Sequence, residues 1–107
     1  MFFDNKHYYN YINRCREHGI NAPILPGLKP LSTKGQLTNV PKIFNVEVPI
    51  DLYKEMIKAK NEAECEQIGT EWLLEQCRDL LKNNCPVLHF YTISKPNIIY
   101  NVLKKLL

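Results

Sequence analysis

The sequence contains no run of the ~20 apolar residues that a membrane-crossing helix requires. Its opening, MFFDNKHYY, turns polar too early for a secretory signal. The four cysteines, at positions 15, 65, 77 and 85, include no CxxC pair. Charge of one sign is nowhere gathered into a block: 14 Lys and Arg stand against 11 Asp and Glu, alternating in stretches such as KEMIKAKNEAECE. That mixing belongs to solvated helix surfaces, whereas a nucleic-acid groove gathers basic residues on one face beside stacking aromatics. These absences lead to the expectation of a cytoplasmic protein that binds neither nucleic acid nor membrane. Its cysteines are expected to be reduced and mostly buried, because Cys15, Cys65 and Cys77 fall on apolar stripes.

What is present is a chain of 107 residues, near the usual size of one domain, with 45% apolar residues, enough to pack a core. Phe2 and Phe3 read as the tail of a strand, and Asp4 is placed to cap the helix after it. On that helix Tyr8, Tyr11, Ile12 and Cys15 recur at three and four, ending at Gly19. Residues 22–25 read as a short strand stopped by Pro26-Gly27, followed by the loop GLKPLSTKGQ, the first place to look for a site. Residues 36–44 read as a short helix or an irregular turn broken by Pro41, and Pro49 opens a helix with Tyr53, Met56 and Ile57 on one stripe. Asn61 and Glu64 have the form of a capping box at the head of a long helix over 62–82. Gly69 on the apolar face of that helix reads as close approach of another backbone or as a glycine merely tolerated there. PVLHFYT, residues 86–92, reads as a fully buried parallel strand, and Ser94 caps a last helix carrying Ile98, Ile99, Val102 and Leu103.

Strands alternating with helices imply an α/β fold, and three parallel strands alone would leave both sheet edges bare. A closed eight-stranded barrel removes such edges but takes about 250 residues. The chain is therefore expected to be the C-terminal portion of a (β/α)8 TIM barrel, about three parallel strands with flanking helices, with residues 1–107 forming its last three βα units rather than a complete domain.

Specific residues support that expectation. FFD at 2–4, RCREHGINAPILPG at 14–27, Pro30, the 46–49 segment, the long helix with Gly69, and LHFYT at 88–92 resemble the C-terminal third of methylenetetrahydrofolate reductase. The resemblance implies a flavoprotein of one-carbon metabolism and methionine biosynthesis. Such an enzyme takes a hydride from NADH or NADPH through FAD and reduces 5,10-methylenetetrahydrofolate to 5-methyltetrahydrofolate. Folate, the nicotinamide and the missing N-terminal barrel portion are then the partners, with a homo-oligomer possible for the complete enzyme. The family's glutamine before the aromatic pair has no counterpart beyond Met1, so the resemblance carries over no catalytic residue and no FAD contact, and the chain alone is expected to be inactive and to bind no FAD.

As substrate-binding positions the resemblance implies Val40, where the family has a stacking aromatic (a task Phe44 could take instead), and Ile93 just past the last strand. Tyr91, near the same strand end, is a third candidate. His89 reads as a hydrogen-bonded core histidine or a residue shaping the site from behind. Asp4 reads as a helix cap, Pro26-Gly27 as a turn or a backbone approach to ligand, and Lys34 and Lys95 as surface lysines or anchors for an anionic folate tail. A small non-catalytic α/β interaction module is the alternative to the reductase fragment. An aldolase barrel would need a Schiff-base lysine within a strand, and none is present.

Overall fold

The computed structural model describes residues 1–91 and 96–107. Among them run five helices and two very short strands. The order is α1 (Asn5–Glu17), β1 (Gly27–Leu28), α2 (Gln36–Phe44), α3 (Ile50–Lys58), α4 (Glu62–Lys82), β2 (His89–Phe90) and α5 (Pro96–Leu106). The long α4 is the central element and packs against α5, α3 and α1.

Local chemistry sets the helix ends. Asp4 is extended and its Oδ1 accepts from the Lys6 N–H at 2.9 Å, satisfying one of the free donors at the start of α1. The far end closes with Gly19 at φ 77°, where Gly19 and Ile20 return their N–H groups to the carbonyls of Arg16 and Cys15. At the head of α4, Asn61 Oδ1 accepts from the Glu64 N–H at 2.9 Å. Glu64 reaches back one residue further than the usual box, to the Lys60 N–H at 2.6 Å. Pro41 lies inside α2 without breaking it.

Two apolar clusters form the core. One gathers Phe3, Leu31, Leu37, Val40, Leu52 and Met56; the other gathers Tyr8, Leu28, Leu73, Leu80, Ile99 and Val102. Burying a side chain such as Met56 removes it wholly from water and contributes roughly 2 kcal/mol. Gly69 lets the loop after β1 lie directly on α4, since a Cβ there would stand 1.6 Å from the Leu31 carbonyl oxygen. The loop GLKPLSTKGQ is thus drawn inward: Leu28, Leu31 and Ser32 are buried, and Gln36 Oε1 accepts from the Ser32 and Thr33 N–H groups. All four cysteines are free, with Cys15, Cys65 and Cys77 buried and Cys85 partly so.

The expected barrel portion is not what forms. Among the described residues the sheet is a parallel pair, with Gly27 opposite His89 and Leu28 opposite Phe90, and the rest is mostly helix. The physical reason lies in the carbonyls. Trp72 Nε1 donates to the Phe3 carbonyl at 2.8 Å and Gln76 Nε2 donates to the Phe2 carbonyl at 3.2 Å. Arg16 donates to the carbonyls of Ile20 and Ala22, and the Tyr8 hydroxyl donates to that of Ile24. Side chains of α4 and α1 thereby satisfy the groups that a neighbouring strand would have taken, and residues 2–3 and 22–25 stay outside the strand pair.

Two smaller readings also change. The segment before α5 is not a fully buried strand: Val87 is 49% exposed and His89 is exposed, so His89 is not a core histidine. On α3 the buried positions are Leu52 and Met56, whereas Tyr53 and Ile57 face outward.

Candidate functional site

The most distinctive local geometry lies at the two-stranded sheet. The His89 N–H donates to the Pro26 carbonyl at 3.1 Å and the Tyr91 N–H donates to the Leu28 carbonyl at 2.8 Å, which binds the two strands. Neither strand has a second strand neighbour among the described residues. Tyr91 folds its ring over Gly27, where a Cβ would stand 2.7 Å from the ring edge, and meets the His89 ring edge-on at 4.9 Å. Leu25, Val87 and Tyr91 remain large exposed apolar groups next to these strands. Lys29, just past β1, is partly withdrawn from water, which pulls its ammonium pKa down.

A second polar cluster joins α1 to the end of α4. Asp79 Oδ2 accepts from the Tyr9 hydroxyl at 2.6 Å and from Asn5 Nδ2 at 2.8 Å, and Asn83 Nδ2 donates to the Tyr9 oxygen at 3.1 Å. Hydrogen bonds from Tyr9 and then Asn5 hold the Asp79 carboxyl below its ordinary value. Burial, followed by the bond to Asp79, pushes the Tyr9 hydroxyl up to about 12. Beside it a cleft of about 320 Å³ is walled by Tyr8, Ile12, Arg16, Asn84 and Cys85.

The residues singled out by sequence are scattered. Val40 is 4% exposed inside the first apolar cluster, and Phe44, at the end of α2, is exposed. Tyr91 stands at the sheet, outside that cluster. Asp4 caps α1, and Lys34 is exposed in the turn before α2. Ile93, Ser94 and Lys95 lie outside the described residues. Pro26-Gly27 does bring the backbone close to something, but what it meets is the chain's own Tyr91.

Sequence reasoning missed Gln76 and Asp79. Gln76 was detectable as a polar residue interrupting the buried face of α4 between Leu73 and Leu80.

No group of three or more His, Cys, Asp or Glu suited to a metal occurs among the described residues, and no helix there is long and apolar enough to cross a membrane. Nothing among the described residues marks a seat for FAD: the Tyr91 ring covers Gly27, and a cleft of about 570 Å³ between α4 and α5 is faced by Glu66 and Glu71 as well as Lys104 and Lys105.

A family model described as methylenetetrahydrofolate reductase matches residues 1–107. The chain belongs to the methylenetetrahydrofolate reductase family. It is 32% identical over 108 residues to the probable methylenetetrahydrofolate reductase (NADPH) of Caenorhabditis elegans, covering 99% of this chain and 16% of that protein. It is 29% identical over 108 residues to methylenetetrahydrofolate reductase (NADH) 1 of Arabidopsis thaliana, covering 99% of this chain and 18% of the relative. Against the 5,10-methylenetetrahydrofolate reductase of Buchnera aphidicola subsp. Schizaphis graminum the identity is 26% over 103 residues, 95% of this chain and 35% of the relative. The chain thus spans between 16% and 35% of the length of these relatives. The tie to FAD runs through membership of the family alone. The expected role as a piece of a catalytic flavin barrel is corrected by the helical architecture and by a sheet of only two short strands among the described residues.

Proposed function

We propose that the chain is a small non-catalytic α/β interaction module of this family, which docks on protein through the open edges of β1 and β2. The observation that carries this reading is the sheet itself. Two parallel strands of two residues each, with Leu25, Val87 and Tyr91 exposed beside them, are too short to be stable as an isolated sheet and have edges ready to accept another strand. An extended segment added to such an edge gains main-chain hydrogen bonds, while the neighbouring apolar side chains lose contact with water. The partner in this reading is the polypeptide that accompanies the matched stretch in the relatives, of which this chain covers 35% or less. Tyr91, considered for folate on sequence grounds, serves here as a docking contact.

The test is hydrogen exchange at residues 25–28 and 87–91, with and without the co-purified unmatched portion of the Buchnera relative. Exchange there should slow at least about tenfold, a gain of roughly 1.4 kcal/mol in local protection. A Val87→Lys, Tyr91→Lys double variant should abolish the slowing by setting charges against the edge. Unchanged exchange at these amides in the presence of a folded partner portion overturns the reading.

A further inference from the structure

Side chains alternate across the β1–β2 pair, as extended backbone requires. Pro26 and Leu28 are fully buried, and Leu88 and Phe90 pack partly buried against the second apolar cluster, so these four face the helices. The residues between them, Leu25, Gly27, Val87, His89 and Tyr91, fall on the opposite face. Ring contacts agree with that placement: Tyr91 lies over Gly27 and meets the His89 ring edge-on at 4.9 Å. On this face Leu25 is 53% exposed, Val87 49% and Tyr91 42%, and His89 is exposed as well. Helices cover one side of the pair, and the other side is open.

An open side is out of keeping with the direction of the strands. β1 and β2 run parallel, and parallel sheets occur almost only with both faces covered, whereas antiparallel sheets commonly leave one face to water. A wet sheet face carries mostly polar side chains, and this one carries Leu25, Val87 and Tyr91 with a single imidazole among them. Gly27 brings no side chain, and the Tyr91 ring lies where one would stand.

We propose that a second apolar layer covers this face, supplied by the polypeptide that accompanies the matched stretch in the relatives. The assignment rests on reading the chain as an interaction module and extends it: the partner not only pairs with the strand edges but lies across the sheet, over Leu25, Val87, His89 and Tyr91. Two facts favour that occupant. The chain spans 35% or less of the relatives, so most of their polypeptide lies outside the matched stretch. The face is also continuous with the edges at which that polypeptide docks, so one body reaches both.

Carbethoxylation by diethyl pyrocarbonate, read by mass spectrometry, reports on His89 directly, and His7, exposed on α1 beside Glu47, is the internal control. With the unmatched portion of the Buchnera relative at saturation, His89 should react at least about tenfold more slowly while His7 keeps its rate. Leu25→Asp sets a charge on the open face at an exposed position outside the strand pair, and should restore His89 reactivity at the same partner concentration. Unchanged His89 labelling beside a folded partner portion overturns the proposal, as does full protection in the Leu25→Asp variant. Protection that arises when this chain alone is concentrated overturns it too, because the cover is then a second copy. Amide exchange at residues 25–28 and 87–91 in the same sample separates the two readings. Slowed exchange with His89 still reactive removes the cover and keeps edge docking, and the reverse pattern removes edge docking and keeps the cover.

Discussion

Replacing Gly69 with alanine places one methyl group where the Leu31 carbonyl oxygen already sits. The new Cβ would begin 1.6 Å from that oxygen and 2.8 Å from its carbon, both backbone atoms, so no rotamer change relieves the contact. Restoring an ordinary separation of 3.4 Å moves the loop off α4 by about 1.8 Å. Leu31, 2% exposed, must then leave its cluster with Phe3, Val40 and Met56. Overpacking of this kind costs roughly 1–3 kcal/mol, and partial loss of a buried leucine adds about 2 kcal/mol. Alanine returns only about 1 kcal/mol of helix propensity, leaving a net loss of about 3 kcal/mol. Equilibrium urea unfolding measures this directly, and the midpoint of thermal unfolding should fall by about 12 °C or more. Gly35→Ala is the matched control, because its Cβ would find only Thr33 Oγ1 at 3.9 Å and its φ of −60° suits any residue. That variant should change stability by less than about 1 kcal/mol. A Gly69→Ala protein as stable as its parent would refute the docking of the loop on α4.

Gly27→Ala should be mild by comparison, less than about 1 kcal/mol, because the obstructing group is the ring of Tyr91, a partly exposed side chain that can swing aside; urea unfolding checks it, and a loss as large as that of Gly69→Ala would contradict the picture. The Asp79 cluster predicts pH dependence at both ends. The Asp79 carboxyl is held low in the fold, so its contribution is present above the unfolded carboxylate value and is lost as pH falls through the depressed one. The Tyr9 hydroxyl is raised to about 12, so its contribution is present below the ordinary 10.0 and is lost as pH rises from there toward about 12. Asp79→Asn should flatten the acid limb in unfolding curves measured from pH 2 to 6, and an unchanged limb would remove Asp79 from the account.

Helices were legible in the sequence because their signals are local. The 3.6-residue spacing on α4, the caps at Asp4 and Asn61, and the turn at Gly19 each depend on residues within one or two turns. Gly69 was legible for a related reason, since a glycine on a buried helical face has few uses other than close approach. The family resemblance was also legible, and it holds over the whole chain. Strands were legible only in part: β2 lies inside the 86–92 run and pairs in parallel, but a strand requires a partner, and the apolar pairs at 2–3 and 24–25 look alike whether a ladder or a side chain takes their carbonyls. Trp72, Gln76, Arg16 and Tyr8 do the latter, and nothing near those apolar pairs announces it. The phase of α3 was misjudged because Tyr53, Met56 and Ile57 form one apolar stripe and Leu52, Met56 and Ala59 another, and only the position of α4 selects the second. Asp79 and Gln76 carry their interest through neighbours on other elements, which no spacing rule brings together.

The bonds from Trp72 and Gln76 to the first three residues span 69 and 74 positions along the chain. Until α4 has formed, the Phe2 and Phe3 carbonyls lack these donors, although Phe3 already has Leu31, Leu37, Val40, Leu52 and Met56 for neighbours. Contacts so distant in sequence close slowly, so the fastening of residues 2 and 3 to α4 belongs to the later steps of folding.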